Sequence, residues 1–180
     1  MGLGDKVDPH TQIITVDGQR IDTQETGEKL YYMVHKPRGY VTTMSDELGR
    51  KSVMSLIEDL PSRIYPVGRL DKESEGLLLF TNDGDFANRL MHPAGEVSKV
   101  YRVTVRPGIT EDQLVKLSTG VTVDGVTYEA HKIEVVQTGK DRSVLVMILK
   151  QGKNRHIRKI SCLVSGRHPP GFNIPSFTVP

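Results

Sequence analysis

The chain has 180 residues, of which 37% are hydrophobic and 26% charged, with a formal net charge of +2; this composition is typical of a soluble globular protein. No apolar run approaches the ~20 residues that a membrane-spanning helix needs. The single cysteine, Cys162, excludes an internal disulfide framework and a multi-cysteine zinc site. Because no secretion signal is recognisable, a cytoplasmic location is expected.

Apolar periodicity, together with turn and cap residues, predicts short strands and helices along most of the chain. In chain order these are a hairpin over 12–16 and 19–21, a hairpin over 30–35 and 40–43, a helix over 52–59, a strand over 76–80 and a helix capped at 82 or 83 and ending at 91. Residues 64–67 lead into the segment that begins at Gly68 and are assigned no element. Further along are a strand over 100–105, a helix over 111–117, two strands joined at 124–125 and reaching about 136, a strand over 143–149 and a helix over 154–164. The predicted fold class is α+β, with a mixed, mainly antiparallel sheet and short helices.

Two basic clusters stand out on this nearly neutral chain. Their members are Lys36, Arg38, Arg50 and Lys51 in one, and Lys150, Lys153, Arg155, Arg158 and Lys159 in the other. The second cluster reaches the start of the last predicted helix, where cations oppose the helix dipole and an anionic partner would relieve the penalty. The clusters therefore indicate a localised anion site, and the alternative is a solvated basic surface.

One acidic residue, Asp71, lies on a glycine-flanked segment before the apolar strand predicted over 76–80. A carboxylate on such a loop can act as a nucleophile or general base, because glycine lets another backbone approach closely. The alternative is an ordinary turn or cap residue, which is the commoner role of an isolated aspartate. Tyr101, on the strand predicted over 100–105, could stack on a nucleic-acid base, although most strand tyrosines only pack.

Taken together, several segments resemble the RsuA/RluB/RluE/RluF group of RNA pseudouridine synthases over about residues 30–164. They are HKPRG at 35–39, RLD at 69–71 followed by GLLL at 76–79 and TNDG at 81–84, ANRLMHP at 87–93, KVY at 99–101 and GKNRHIR at 152–158. The segment RIYPVG at 63–68 and the ANRLMHP segment favour the RluB-like branch, and with it large-subunit ribosomal RNA. The resemblance implies the pseudouridine synthase fold.

The resemblance divides the chain into three parts. Residues 1–28 are similar to the end of a small S4 RNA-binding domain and a linker, 29–164 form the catalytic domain, and 165–180 form an atypical proline-rich tail without a predicted element. Most of the S4 domain is therefore expected to be missing, which would reduce the additional contacts with RNA that this domain provides. A catalytically impaired RNA-binding remnant of the same family is the alternative to an active enzyme.

The resemblance also implies roles for three residues. Asp71 would attack the sugar or the base, or remove a sugar proton, and Arg158 would pair with it and favour its charged form. Tyr101 would stack on the target uracil and assist removal of the C5 proton. The reaction changes no redox state, so no metal, nucleotide or other cofactor is expected.

The expected partner is structured ribosomal RNA, whose target uridine must be flipped out of the helical stack. Six residues are predicted to bind this RNA: Lys36, Arg38, Arg69, Lys153, Asn154 and Arg155. The chain is expected to act as a monomer away from membranes. A glycosidase with Asp71 and Glu75 as paired carboxylates is a further alternative.

Overall fold

A computed structural model describes residues 8, 12–21, 27–57, 63–123, 125–150, 153, 156–164 and 177–178. The strands are β1 (Ile14–Val16), β2 (Gln19–Ile21), β3 (Tyr31–Lys36), β4 (Tyr65–Val67), β5 (Gly76–Thr81), β6 (Lys99–Val105), β7 (Val121–Val123), β8 (Val126–Tyr128), β9 (Lys132–Gln137), β10 (Ser143–Leu149) and β11 (Phe177–Thr178). The helices are α1 (Gly84–Met91), α2 (Glu111–Thr119) and α3 (His156–Val164), with 3-10 turns at Val53–Leu56 and Pro93–Gly95. None of the helices in these ranges is long and apolar enough to cross a membrane.

In the described residues the strands form four antiparallel sheets. A four-stranded sheet has the order β11-β6-β10-β9, a three-stranded sheet has the order β3-β5-β4, and β1-β2 and β7-β8 are two-stranded. The inner strands β5 and β10 read as continuous apolar runs, as strands with neighbours on both edges often do. The predicted α+β class is confirmed, although the strands divide among several sheets.

Buried apolar side chains form two clusters within the described ranges. The first core consists of Val103, Val105, Leu117, Tyr128, Leu145, Met147, Leu149, Ile157 and Ile160. The second core consists of Val53, Ile64, Leu78 and Phe80. Each of the large aliphatic or aromatic side chains contributes ~1.5–3 kcal/mol when it is fully buried. The first core holds α3 against the four-stranded sheet, and the second core underlies β5.

Local signals in the sequence account for several elements. Asp83 caps α1 by accepting a hydrogen bond from the Phe86 amide at 3.0 Å. Thr110 caps α2 through a reciprocal pair of hydrogen bonds with Gln113. Asp17 and Gly18 between β1 and β2 both have positive φ, as a two-residue hairpin turn requires. The predicted caps and this hairpin are confirmed.

The second predicted hairpin is wrong. Strand β3 pairs over its whole length with β5, from Tyr31 opposite Thr81 to Lys36 opposite Gly76. Residues 40–43 do not pair with β3, and Val41 instead forms an isolated parallel bridge with Ser52. Strand β5 is the better partner because it brings two large second-core side chains, Leu78 and Phe80, to the sheet.

Three further predictions need correction. The helix predicted over 52–59 is a 3-10 turn, capped as expected by Ser52, and residues 58–62 lie outside the described residues. The strand predicted to reach about 136 is divided into β8 and β9, and position 124 of its turn is not described. In the tail, where no element was predicted, β11 pairs with β6.

Candidate active site

Asp71 lies on the loop that joins β4 to β5. The loop begins at Gly68, with φ 82°, and ends at Gly76, with φ 128°; both values lie in the region that favours glycine. The amide of Ser74 donates to the carbonyl oxygen of Asp71 at 2.9 Å, which closes a tight turn. The aspartate therefore sits on a defined bend at the entrance to a buried strand.

The buried ammonium group of Lys36 supports this loop through hydrogen bonds to its backbone. Lys36 has no exposed surface, and its Nζ donates to the carbonyl oxygens of Ser74 at 2.6 Å, Pro37 at 3.0 Å and Lys72 at 3.4 Å. Burial lowers the pKa of Lys36, while the charges of nearby acids, Glu73 first, oppose that shift. The amide of Gly39 also donates to Lys72 O at 2.8 Å. The turn after β3 and the Asp71 loop are thereby joined.

The prediction that Lys36 binds RNA does not fit this structure. A phosphate contact needs an ammonium group at the surface, whereas Lys36 is buried and its donors are directed to backbone carbonyls. A lysine in a polar turn is ordinarily exposed, and only carbonyls supplied by a loop 36 to 38 positions away make its burial favourable. Lys36 supports the loop that carries Asp71.

Arg158 on α3 approaches the carboxylate of Asp71 from the other side. Its Nε donates to Oδ2 at 2.8 Å. The arginine side chain is 11% exposed and the aspartate side chain 42%, so the pair lies at a partly buried boundary. Its neighbour Ile157 packs in the first core and fixes this turn of the helix. The bond joins a loop of one sheet to a helix packed on the other.

Tyr101 lies on β6 next to this pair, with Met147 of β10 opposite it. The ring packs against the first core and is partly buried. Burial raises the pKa of the Tyr101 phenol, and the negative charge of Asp71 raises it further. The phenol therefore keeps its proton at neutral pH and can donate a hydrogen bond.

These residues surround one open cleft, which has a cavity volume of about 100 Å³. Its lining consists of Arg69, Leu70, Asp71, Ser74, Tyr101, Leu149, Lys153, His156, Ile157 and Arg158. Sites for small ligands commonly have volumes of ~300–1,000 Å³, so this cleft can enclose only part of a nucleotide, and the rest would lie at its open mouth. The structure thus brings together the three residues, distant in sequence, for which catalytic roles are predicted.

The predicted RNA-binding residues are distributed unevenly around the cleft. Arg69 and Lys153 line it, and Lys153 Nζ donates to Thr127 O at 2.5 Å. Arg38 is exposed on the turn after β3, where its Nε lies 3.3 Å from a carboxylate oxygen of Glu75. Glu75 is not part of the cleft lining, which counts against a paired-carboxylate glycosidase. Asn154 and Arg155 lie outside the described residues.

Two residues near the site were not predicted. Thr42, which is 7% exposed, bonds through its hydroxyl to the backbone of Leu70. No local pattern marks such a contact. His156 is buried, and its Nε2 lies 3.0 Å from Glu129 O. Its position four residues before Ile160, on the same helical face, is a signal that could have indicated burial.

Sequence comparison places the chain among RNA-modifying enzymes. Residues 30–161 match the family described as RNA pseudouridylate synthase. The chain is 38% identical over 160 residues to ribosomal large subunit pseudouridine synthase B of Bacillus subtilis (strain 168), covering 88% of this chain and 64% of that protein. It is 34% identical over 158 residues to an uncharacterized RNA pseudouridine synthase of Aquifex aeolicus (strain VF5), covering 87% and 62%. The chain therefore spans less than two thirds of the length of these relatives.

Solved structures show the same fold. A crystal structure of a pseudouridylate synthase aligns with a TM-score of 0.66 and 21% identity, covering 84% of this chain and 61% of that one. An H/ACA RNP bound to a substrate RNA containing 2'-deoxyuridine aligns with a TM-score of 0.57 and 14% identity, covering 82% and 45%. The family match includes all three residues that meet at the cleft, Asp71, Tyr101 and Arg158. Fold and sequence agree that the chain belongs to the RNA pseudouridylate synthase family, as an RsuA/RluB-type member.

Proposed function

We propose that this chain isomerises a uridine of large-subunit ribosomal RNA to pseudouridine, with Asp71 as the catalytic carboxylate. The observation that carries the proposal is the bond of Asp71 to Arg158 beside Tyr101 in one open cleft. The choice of substrate follows the name of the Bacillus subtilis relative. The reaction breaks the bond between uracil N1 and the sugar, rotates the base and joins C5 to the same carbon.

Asp71 and Arg158 have complementary roles in this proposal. The arginine holds Oδ2 and leaves Oδ1 outside their bond, so the carboxylate keeps one fixed orientation towards the substrate. Because the carboxylate is 42% exposed, it can reach a bound nucleotide. Attack on the sugar, attack on the base and removal of a sugar proton all remain compatible with this arrangement.

Tyr101 is proposed to stack on the target uracil through its ring. Stacking of a base on an aromatic side chain contributes ~1–3 kcal/mol to binding. The raised pKa of Tyr101 keeps the phenol neutral, so its hydroxyl is suited to hydrogen-bonding the base. A neutral phenol can accept the C5 proton only if it releases its own hydroxyl proton in the same step.

The target uridine is proposed to leave the RNA stack and enter the cleft. Extrusion costs a few kcal/mol, and cationic contacts to the flanking phosphates can offset it. Arg69 and Lys153 on the cleft lining are suited to those contacts, and Arg38, Asn154 and Arg155 are proposed to extend them. We propose that the protein acts as a cytoplasmic monomer.

Tritium release from RNA labelled at uridine C5 tests the proposal. The wild type is expected to release tritium, and Asp71→Asn to lower the rate on the order of 10³-fold or more while the Kd for RNA changes little. Asp85→Asn is the matched control, because this exposed carboxylate on α1 lies outside the cleft lining.

Two other outcomes would contradict the proposal. RNA binding by the wild type without tritium release would identify an RNA-binding remnant. A free base in the product, with Glu75→Gln as damaging as Asp71→Asn, would identify a glycosidase.

A further inference from the structure

We infer that the Thr42 hydroxyl is a positioning group that sets the direction of the Asp71 carboxylate. The inference rests on the proposed function, because it concerns the residue proposed as catalytic. Thr42 follows the turn after β3 and is not part of the cleft lining. It acts on the reaction through the backbone of another residue, so its effect should be on turnover and not on RNA binding.

The hydroxyl of Thr42 binds both backbone groups of Leu70, the residue before Asp71. Its Oγ1 donates to Leu70 O at 2.8 Å and accepts from Leu70 N at 3.2 Å. Leu70 O belongs to the planar peptide unit that ends at the Asp71 Cα, so fixing this oxygen fixes the plane from which the aspartate projects. The threonine is 7% exposed, so water cannot readily replace its hydroxyl.

Thr42 can hold the Leu70 backbone in place because hydrogen bonds fix the segment of Thr42 itself. The amide of Val41 donates to Lys51 O at 2.8 Å, and the amide of Val53 donates to Val41 O at 3.0 Å. The hydroxyl of Ser52 donates to Thr43 O at 2.5 Å. Val53 is fully buried in the second core. The Thr42 hydroxyl thus links the backbone before Asp71 to the second core.

Among the other contacts of the loop, the amide of Gly68 donates to Met91 Sδ at 3.0 Å at the start of the loop, and the rest lie after Asp71 in the chain or at its side chain. Lys36 and the Ser74 amide hold residues 71–74, and Arg158 holds the carboxylate. Without the Thr42 hydroxyl these contacts keep the loop folded, but among the described residues no other side chain bonds to the Leu70 backbone. A misplacement of about 1 Å at a reacting group can lower the rate by on the order of 10²-fold.

The test compares three variants of the full chain. Thr42→Val keeps the side-chain shape without the hydroxyl, and Thr42→Ser keeps the hydroxyl. Thr43→Val is the matched control, because that hydroxyl donates to Ser45 O at 2.6 Å and does not contact the Asp71 loop. Thr42→Val is expected to lower kcat for tritium release about 10- to 100-fold while KM and the RNA Kd stay within about twofold. Thr42→Ser and Thr43→Val should keep kcat within about threefold.

A folded Thr42→Val protein with unchanged kcat would overturn the inference. So would an equal loss in Thr42→Ser, or a loss of RNA affinity that parallels the loss of kcat. Should Thr42→Val fail to fold, Thr42→Ala removes the same hydroxyl from a smaller side chain and is measured in its place.

A readout that needs no catalysis separates this inference from the proposed function. By NMR, loss of the hydroxyl should speed hydrogen exchange at the Leu70 amide and shift the Arg158 Nε–H resonance. If the wild type releases no tritium, the proposed function fails, and these two signals still decide the role of Thr42. Neither signal changing in Thr42→Val would overturn the inference.

Discussion

Nε of Arg158 lies 2.8 Å from Oδ2 of Asp71, although 87 positions separate the two residues in the chain. A charge-assisted hydrogen bond of this kind fixes the orientation of the carboxylate as well as its charge. The aspartate is partly solvated, which limits what the pair can add to folding stability. We therefore expect changes at this pair to affect turnover more than folding.

Replacement of Arg158 by methionine is expected to lower single-turnover tritium release by on the order of 10²-fold or more, because the Asp71 carboxylate loses its fixed donor. Arg158→Lys should recover only part of the rate, since an ammonium lacks the planar geometry of guanidinium. Urea unfolding should show a loss of no more than about 1 kcal/mol for Arg158→Lys. Equal turnover in the lysine variant and the wild type would contradict a geometric role.

Removal of the Tyr101 hydroxyl separates stacking from proton chemistry. Tyr101→Phe is expected to keep the RNA Kd within about threefold, because the ring remains, while Tyr101→Leu should weaken binding by ~1–3 kcal/mol. Since burial raises the pKa of the phenol above its ordinary value of 10.0, the wild-type rate should show no ionisation of Tyr101 between neutral pH and pH 10. A step in the wild-type pH profile within that range, absent from Tyr101→Phe, would show that the assignment is wrong.

Lys36→Met should destabilise the protein by about 2 kcal/mol or more, because backbone carbonyls that accept from the ammonium lose their donor. Turnover should fall as well, since the Asp71 loop depends on these bonds. Lys72→Met is the matched control, because that side chain on the same loop is exposed. Both variants are measured by urea unfolding and tritium release, and equal stability of the two would refute the supporting role of Lys36.

The lowered pKa of Lys36 predicts how the stability of the protein changes with pH. Its folded pKa is lowered, so at pH values between that pKa and the unfolded value of 10.5 the unfolded chain binds more protons. The free energy of unfolding of the wild type should therefore rise with pH in that window, relative to Lys36→Met. A relative decrease would contradict the lowered pKa.

The lowered pKa of Asp83 predicts a loss of stability at acidic pH. Hydrogen bonds from the Phe86 amide, the Tyr31 hydroxyl and Lys29 Nζ hold the pKa of this carboxyl well below 3.8. Its contribution to stability is complete above the unfolded value of 3.8 and is lost as pH falls towards the folded pKa. Asp83→Asn keeps the α1 cap, so urea unfolding between pH 2 and 5 should show a smaller acid-induced loss in this variant. The wild-type dependence should persist in Asp85→Asn.

The sequence predicted well those features whose causes are local. The caps of α1 and α2 and the turn between β1 and β2 depend on residues within four positions of one another. Strand β10 was predicted at its observed bounds, because its apolar run is continuous. By contrast, residues alone left Asp71 as an ordinary turn residue, and only the family resemblance indicated that it would meet Tyr101 and Arg158.

The features that were missed depend on contacts between distant segments. Lys36 was expected at the surface because its burial requires carbonyls of Lys72 and Ser74. Thr42 was assigned to a hairpin strand, yet its side chain serves a loop 28 positions away. In both cases the determining groups are backbone atoms, which carry no residue-specific signal in the sequence.

The cleft draws its parts from the two separate cores. Arg158 and Tyr101 adjoin the first core, whereas Thr42 and the strand that follows the Asp71 loop adjoin the second. A small shift of the elements around the first core relative to those around the second would lengthen the Asp71–Arg158 distance, while both cores stayed buried. Heat, denaturant or a remote substitution should therefore abolish the proposed activity before circular dichroism registers any melting.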